Sequence, residues 1–140
     1  MNSANVERHA LHTQRLALSA LTLDPSNPRI HPTQNREAIA ASLKRFGQTE
    51  PLIIQRGTRR VIAGNARLQA MQALGWTECT VIELDIENLE AKALGIALNR
   101  TAELADWDDS VLANLLLVLR TDGAVVGVGF SRGEVDSALF

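Results

Sequence analysis

Cysteine is nearly missing from this chain: Cys79 stands alone among 140 residues. That excludes an intramolecular disulfide framework and a cysteine-rich zinc site, and it fits a reducing compartment. The residue itself reads as a small, buried strand side chain. Long apolar runs are missing as well. No stretch approaches the roughly 18 residues of a membrane span, and the polar start from Met1 to Gln14 lacks the apolar segment of a signal peptide. A cytoplasmic protein without a membrane partner is therefore expected. There is no basic excess, since the net charge is -2, which argues against a freestanding, charge-driven nucleic-acid binder. No Walker-type phosphate loop and no Ser/His/Asp constellation is present, and His9, His12 and His31 have no metal-ligand spacing with any carboxylate pair. Nothing in these patterns points to a metalloenzyme or a hydrolase, and no metal ligands are assigned.

What is there suffices for a fold. Apolar residues make up 46% and charged residues 21% of the chain, ordinary globular proportions, and the length suits one domain. Residues 1–15 lack periodicity and read as a frayed arm. Leu16, Leu18 and Leu21 to Leu23 suggest a first strand or extended entry, closed by the loop Asp24 to Arg29. Thr33 or Asn35 can cap a helix whose Ile39, Leu43 and Phe46 fall at i, i+4 and i+7, with Gly47 as its stop. Pro51 to Gln55 and Arg60 to Ala63 read as two strands joined by a hairpin turn, and Gly64 breaks the second. A helix from Ala66 to Gly75, with Ala70, Met71 and Leu74 on one face, leads into a strand from Cys79 to Leu84. This order makes an α/β pattern.

Further on, Leu89, Ala93, Ile96, Ala97 and Leu104 form an apolar stripe at helical spacing over Glu87 to Leu104. A mostly apolar helix over Asp108 to Arg120 follows. Ser131 and Glu134 then make a capping box, with Phe130 and Val135 at the positions of a hydrophobic staple, so a short last helix is expected. The expected organisation is an arm (1–15), a small mixed-sheet domain flanked by helices (16–106) and a helical extension (107–140).

Chemistry concentrates where charge is least comfortable. Residues 1–100 carry twelve Lys and Arg against nine Asp and Glu, while residues 101–140 carry two against seven, so an anion site belongs in the first hundred. A strand that ends at Gly64 and turns straight into a helix exposes unpaired N–H groups at the positive end of a helix dipole. Arg67 shares the face of Ala70, Met71 and Leu74. A cation in the first turn opposes the dipole unless an anion compensates; that anion is a bound phosphate, which Arg grips bidentately, or a carboxylate such as Glu83 or Asp85, unless the side chain snorkels to solvent. Arg100 repeats the pattern on the stripe of the later helix. Asn99 beside it offers an amide to a ligand or caps a helix break. Arg29 sits on a proline-stiffened loop. A C-cap turn accounts for Gly47 and leaves Gln48 and Thr49 unexplained. Arg56, Arg59 and Arg60 crowd the hairpin without interleaved aromatics, so base stacking is not indicated.

The order of these features, from Asn27-Pro28-Arg29 through Phe46-Gly47-Gln48 and Pro51 to Ile62-Ala63-Gly64-Asn65-Ala66-Arg67-Leu68-Gln69-Ala70, resembles the ParB N-terminal domain of the ParB/sulfiredoxin superfamily over about residues 18 to 105. It is most similar to ParB-like domains of phages, mobile elements and DNA-modification methyltransferases, where the later segment Ala97-Leu98-Asn99-Arg100 also has a counterpart. The resemblance implies a nucleoside triphosphate, CTP or ATP, with or without Mg2+. It places Gly64, Asn65, Ala66 and Arg67 on phosphate, Gln48 and Thr49 on the nucleotide, and Asn99 and Arg100 on the metal and phosphate side, with Arg29 as a further candidate. It also implies DNA as a partner, reached indirectly or through another protein, and a capacity to form homo-oligomers.

Two departures shape the expected activity. Asn65 and Leu98 stand where the partition consensus has glutamates, and a carboxylate is what would hold magnesium or position water; weak or absent nucleotide hydrolysis follows. Sulfiredoxin carries a catalytic cysteine in the turn where this chain has Asn65, which excludes that reductase chemistry. Residues 107–140 are acidic and do not match the partition helix-turn-helix, so sequence-specific DNA binding by this chain alone is not expected. The leading reading is a nucleotide-binding regulatory or targeting module in a DNA-related system. Its rivals are an NTPase, nuclease or phosphotransferase, for which Glu50 is the nearby carboxylate, and an assembly domain without nucleotide.

Overall fold

The structure is a computed structural model that describes residues 10–25, 27 and 29–139; residues 1–9 of the expected arm lie outside the described residues. The arm ends sooner than Arg15, because Thr13–Ala17 form a strand, β1, whose backbone pairs antiparallel with β4 (Glu78–Leu84), Leu16 opposite Cys79. Polar cross-strand contacts support this edge: Gln14 donates to Glu83 at 2.7 Å, and Arg15 donates to Glu78 and Thr80. Such contacts carry no apolar signature for a sequence reading to find. The strand does not extend to Leu23. Leu18–Ala20 make a 3-10 turn, and beyond it only Thr22 is bridged, to Arg60.

A four-stranded mixed sheet of order β1-β4-β2-β3 forms the frame, with β2 at Leu52–Gln55 and β3 at Val61–Ala63. β2 runs parallel to β4 with Leu52 opposite Val81 and Ile53 opposite Ile82, and antiparallel to β3. Strand alternation divides these residues between two faces. Leu52, Ile54, Cys79 and Val81 point into the main core with Leu68 and Met71 of α2 (Asn65–Ala73) and Leu43 of α1 (Thr33–Phe46). Ile53 and Ile82 face the other way and floor a cleft. α2 begins one residue before the expected start and stops at Ala73, short of Gly75.

α1 spans its expected stretch, but neither Thr33 nor Asn35 caps it: the N-cap is Pro32, with no side-chain cap, and Asn35 is hydrogen-bonded to the His31 ring. Phe46, expected on the inner stripe, is exposed and stacks under Arg45. The stripe on α3 (Asn88–Glu103) is the larger surprise. Leu89, Ile96 and Leu104 are exposed and α3 buries no residue. Its approach to the sheet is through Gly95, where an added Cβ would lie 3.3 Å from the Ile62 carbonyl. Helical periodicity reports an apolar face without saying what covers it.

α4 (Asp109–Thr121) is capped by Asp108, which accepts from the Val111 N–H, and buries Leu116. α5 (Arg132–Leu139) opens with the capping box as expected: Glu134 N–H donates to Ser131 Oγ, and Ser131 N–H donates to Glu134 Oε1. Val135 is buried. The extension is tied to α1, since Gln34 donates to Glu134 and Arg45 donates to the carbonyls of Ala124 and Val126 at 2.6 and 2.7 Å. No helix is long and apolar enough to cross a membrane among the described residues.

Candidate functional site

Gly64 is where the local sequence makes a site. It takes φ 107° and ψ 21° as the N-cap of α2, with no side chain capping the helix. A Cβ at this position would meet Leu52 Cδ2 at 2.5 Å, so both the left-handed backbone and the close approach demand glycine. The first hydrogen bond of the helix runs from Leu68 N–H to the Gly64 carbonyl. That leaves the N–H groups of Asn65, Ala66 and Arg67 at the positive end of the helix dipole, without a side-chain cap.

These groups open onto a cleft of about 560 Å³, within the range of small-molecule sites. Its walls come from the Asn27–His31 loop, α1, β2, β3, α2 and, through Leu98 and Asn99, α3. A second lobe of about 260 Å³, lined by Gly47, Gln48 and Thr49, shares Ile39, Glu50 and Arg67 with the first. A third, of about 230 Å³, shares Arg29, His31, Asn65 and Ala66 and adds Arg36. Arg67 therefore stands between two lobes, and Arg29 between the first and third.

Arg67 points inward as its helical spacing implies, with its side chain 26% exposed. Burial pulls its guanidinium below its ordinary value, opposed by the neighbouring Glu50 carboxylate. Its partner is Glu50, not Glu83 or Asp85: Nη1 donates to the Glu50 carbonyl at 3.0 Å and lies 3.8 Å from Glu50 Oε2. Glu83 and Asp85 pair instead with Arg56 on the hairpin side.

Arg100 does not turn inward. Its side chain is 63% exposed, lies outside all three lobes and pairs with Glu103 one turn along. The reason is the placement of α3, whose apolar stripe faces solvent and carries Arg100 with it. Asn99 does line the cleft. Its Nδ2 donates to the Gly95 carbonyl at 2.9 Å, which leaves Oδ1 as the available acceptor. Arg29 lines the cleft and pairs with Glu103, linking the loop to α3.

Gln48 has a structural reason the sequence did not reveal. Its amide donates to the carbonyls of Glu50 and Thr80 and accepts from the Thr80 N–H. It thus braces the turn that carries Glu50 against β4. Asn65 is likewise engaged, accepting from the Asp24 N–H at 3.0 Å and donating to the Val61 carbonyl at 3.3 Å. It pins the Asp24 loop to the start of α2. Sequence reasoning passed over Asn27 and His31 as cleft residues; the stiffened loop was a signal for them, but only its arginine was singled out. No group of three or more potential metal ligands occurs among the described residues.

The sequence pattern of the ParB N-terminal domain matches residues 2–100. A probable plasmid-partitioning protein ParB of Deinococcus radiodurans is 30% identical over 115 residues, which cover 80% of this chain and 40% of that protein. The chain thus spans about two-fifths of that relative's length. Among solved structures, C-terminally truncated chromosome-partitioning ParB of Caulobacter crescentus with CTP-γ-S superposes with a TM-score of 0.78 at 20% identity, covering 91% of this chain and 77% of that one. The same protein bound to its centromeric parS site gives 0.52 at 18% identity, over 90% and 70%.

Proposed function

Because the chain belongs to the ParB N-terminal domain family, we propose that it binds a nucleoside triphosphate, CTP or ATP, in the cleft at the start of α2, and serves as a regulatory or targeting module in a DNA-related system. The observation that carries this reading is Arg67: a half-buried guanidinium beside three uncapped helix N–H groups, in a cleft large enough for a nucleotide. That combination is an anion site of the strongest ordinary kind, with preorganised donors and a planar cation.

In this reading the N–H groups from Asn65 to Arg67 and the Arg67 guanidinium hold phosphate, while Arg29 closes from the loop opposite. Thr49 lines the second lobe, and Gln48 acts by bracing the turn beside it. Asn99 supplies an amide oxygen from α3. Arg100 reaches the ligand only if α3 shifts. The Caulobacter relative's complex with CTP-γ-S supports a nucleotide, and the partition proteins among the relatives support a DNA setting; placing it in a phage-borne or modification system rests on the sequence resemblance alone.

A divalent cation fits this donor set only in part. Glu50 is the one carboxylate among the residues lining the two lobes that contain Arg67, and magnesium is commonly held by one or two carboxylates together with the ligand's own phosphates. When bound, it would neutralise phosphate charge, with Glu50 and the Asn99 amide oxygen as the protein's ligands. Asn65 holds the Asp24 loop and Leu98 is apolar, so neither position offers a carboxylate to activate water, and Glu50 is turned toward Arg67; hydrolysis is slow or absent in this reading. The apolar residues exposed on α3 and α4, among them Leu89, Ile96, Val111 and Leu115, favour self-association as a second property of the same domain.

A thermal-shift panel tests the binding claim. CTP or ATP raises the melting temperature of the wild type, and Arg67→Ala removes the rise. No shift with any nucleotide would leave the assembly reading as the better one.

A further inference from the structure

Arg67 already has an anion. Its guanidinium lies 3.8 Å from the Glu50 carboxylate and donates to the Glu50 carbonyl at 3.0 Å, in the very place where a ligand's phosphate has to arrive. The two contacts differ in kind. The Glu50 carbonyl is fixed, since Gln48 also donates to it and Pro51 follows in the chain, restricting the Glu50 backbone to extended conformations. The carboxylate is held loosely. It is 78% exposed and beyond hydrogen-bond distance of Arg67.

Resting on the nucleotide reading, we infer that Glu50 is a resident counter-anion that the incoming phosphate must displace, so that the cleft favours a polyphosphate partly neutralised by a divalent cation over a bare one. Three features converge on this. Arg67 is the better-buried partner, so an empty cleft gains from a compensating charge. Glu50 borders both lobes that contain Arg67, so its carboxylate lies within reach of phosphate in either. Among the residues lining these two lobes Glu50 is the one carboxylate, so it sets the local sign. A bare triphosphate meets repulsion from it. A cation-bound one meets a ligand.

Glu50→Gln separates the charge from the shape, because it keeps the carbonyl contacts to Arg67 and Gln48. The experiment is calorimetric titration of CTP and of inorganic tripolyphosphate into wild type and Glu50→Gln, with EDTA and with magnesium. Exposed ion pairs are weak, so the expected gain for Glu50→Gln in EDTA is on the order of two- to fivefold in affinity. The advantage that magnesium gives the wild type should shrink by a similar factor. Equal or weaker binding by Glu50→Gln in EDTA overturns the counter-anion role while leaving the nucleotide reading intact. An effect of the substitution confined to magnesium also overturns it, since Glu50 would then act on the cation rather than on Arg67. Absence of binding to either protein under any condition overturns both.

Discussion

Arg67 and Gly64 make the site jointly, and their substitutions should fail differently. Arg67→Lys keeps the charge but loses the planar fork, so nucleotide affinity should fall about tenfold or more with the melting temperature of the ligand-free protein nearly unchanged. Gly64→Ala introduces a methyl against Leu52 Cδ2 and forces a left-handed backbone on alanine. It should lower folding stability by roughly 1–3 kcal/mol in chemical denaturation, before any ligand is added. At Cys79, burial raises the thiol above its ordinary value near 9.0, opposed by Arg15. The neutral thiol is the form the fold favours, so its contribution to stability is complete below pH 9 and declines as the pH rises through the raised value. In the native state Cys79 should resist a thiol reagent such as DTNB at neutral pH and react freely once unfolded. Prompt reaction in the native protein would place the residue outside the core.

Elements were legible where a repeating pattern met a packed partner. α1, α2 and the strands β2, β3 and β4 follow from apolar period and from Gly47 and Gly64 as stops, and the Ser131 capping box named the start of α5 from four residues. Two departures have one cause. The first strand is present and Leu16 packs on the core, but its early start is set by backbone pairing and polar cross-strand contacts, and the α3 stripe meets solvent; in both, tertiary placement rather than local pattern decides the outcome. Arg100 faces solvent along with α3, whereas Arg67 points inward as its spacing implies, because Ala70 and Met71 of its face do meet the core. The roles of Gln48 and Asn65 were illegible because their partners lie 32 and 41 residues away. Distant contacts also tie the extension to α1, Arg45 making two of them. Arg45→Ala removes two hydrogen bonds to the 124–126 carbonyls, and amide exchange over residues 122–129 should accelerate by roughly tenfold while the sheet stays protected.

For the molecule as a whole, charge and exposed surface point the same way. Arg29, Arg36 and Arg67, from the basic first hundred residues, line the cleft and its lobes, while the acidic extension docks on α1 and leaves the apolar side of α3 and α4 open. Light scattering should show mass rising with protein concentration toward that of a dimer, and Leu115→Glu should hold the chain monomeric without unfolding it. A monomer at all concentrations, with and without nucleotide, would assign that surface to another partner.

The central claim is that phosphate sits on the N–H groups at the start of α2. A titration of CTP followed by amide chemical shifts tests it most directly. Saturable shifts at Asn65, Ala66 and Arg67, lost in Arg67→Ala, are the predicted result. Shifts confined to the arginines of the hairpin, or none at any nucleotide concentration, would contradict it.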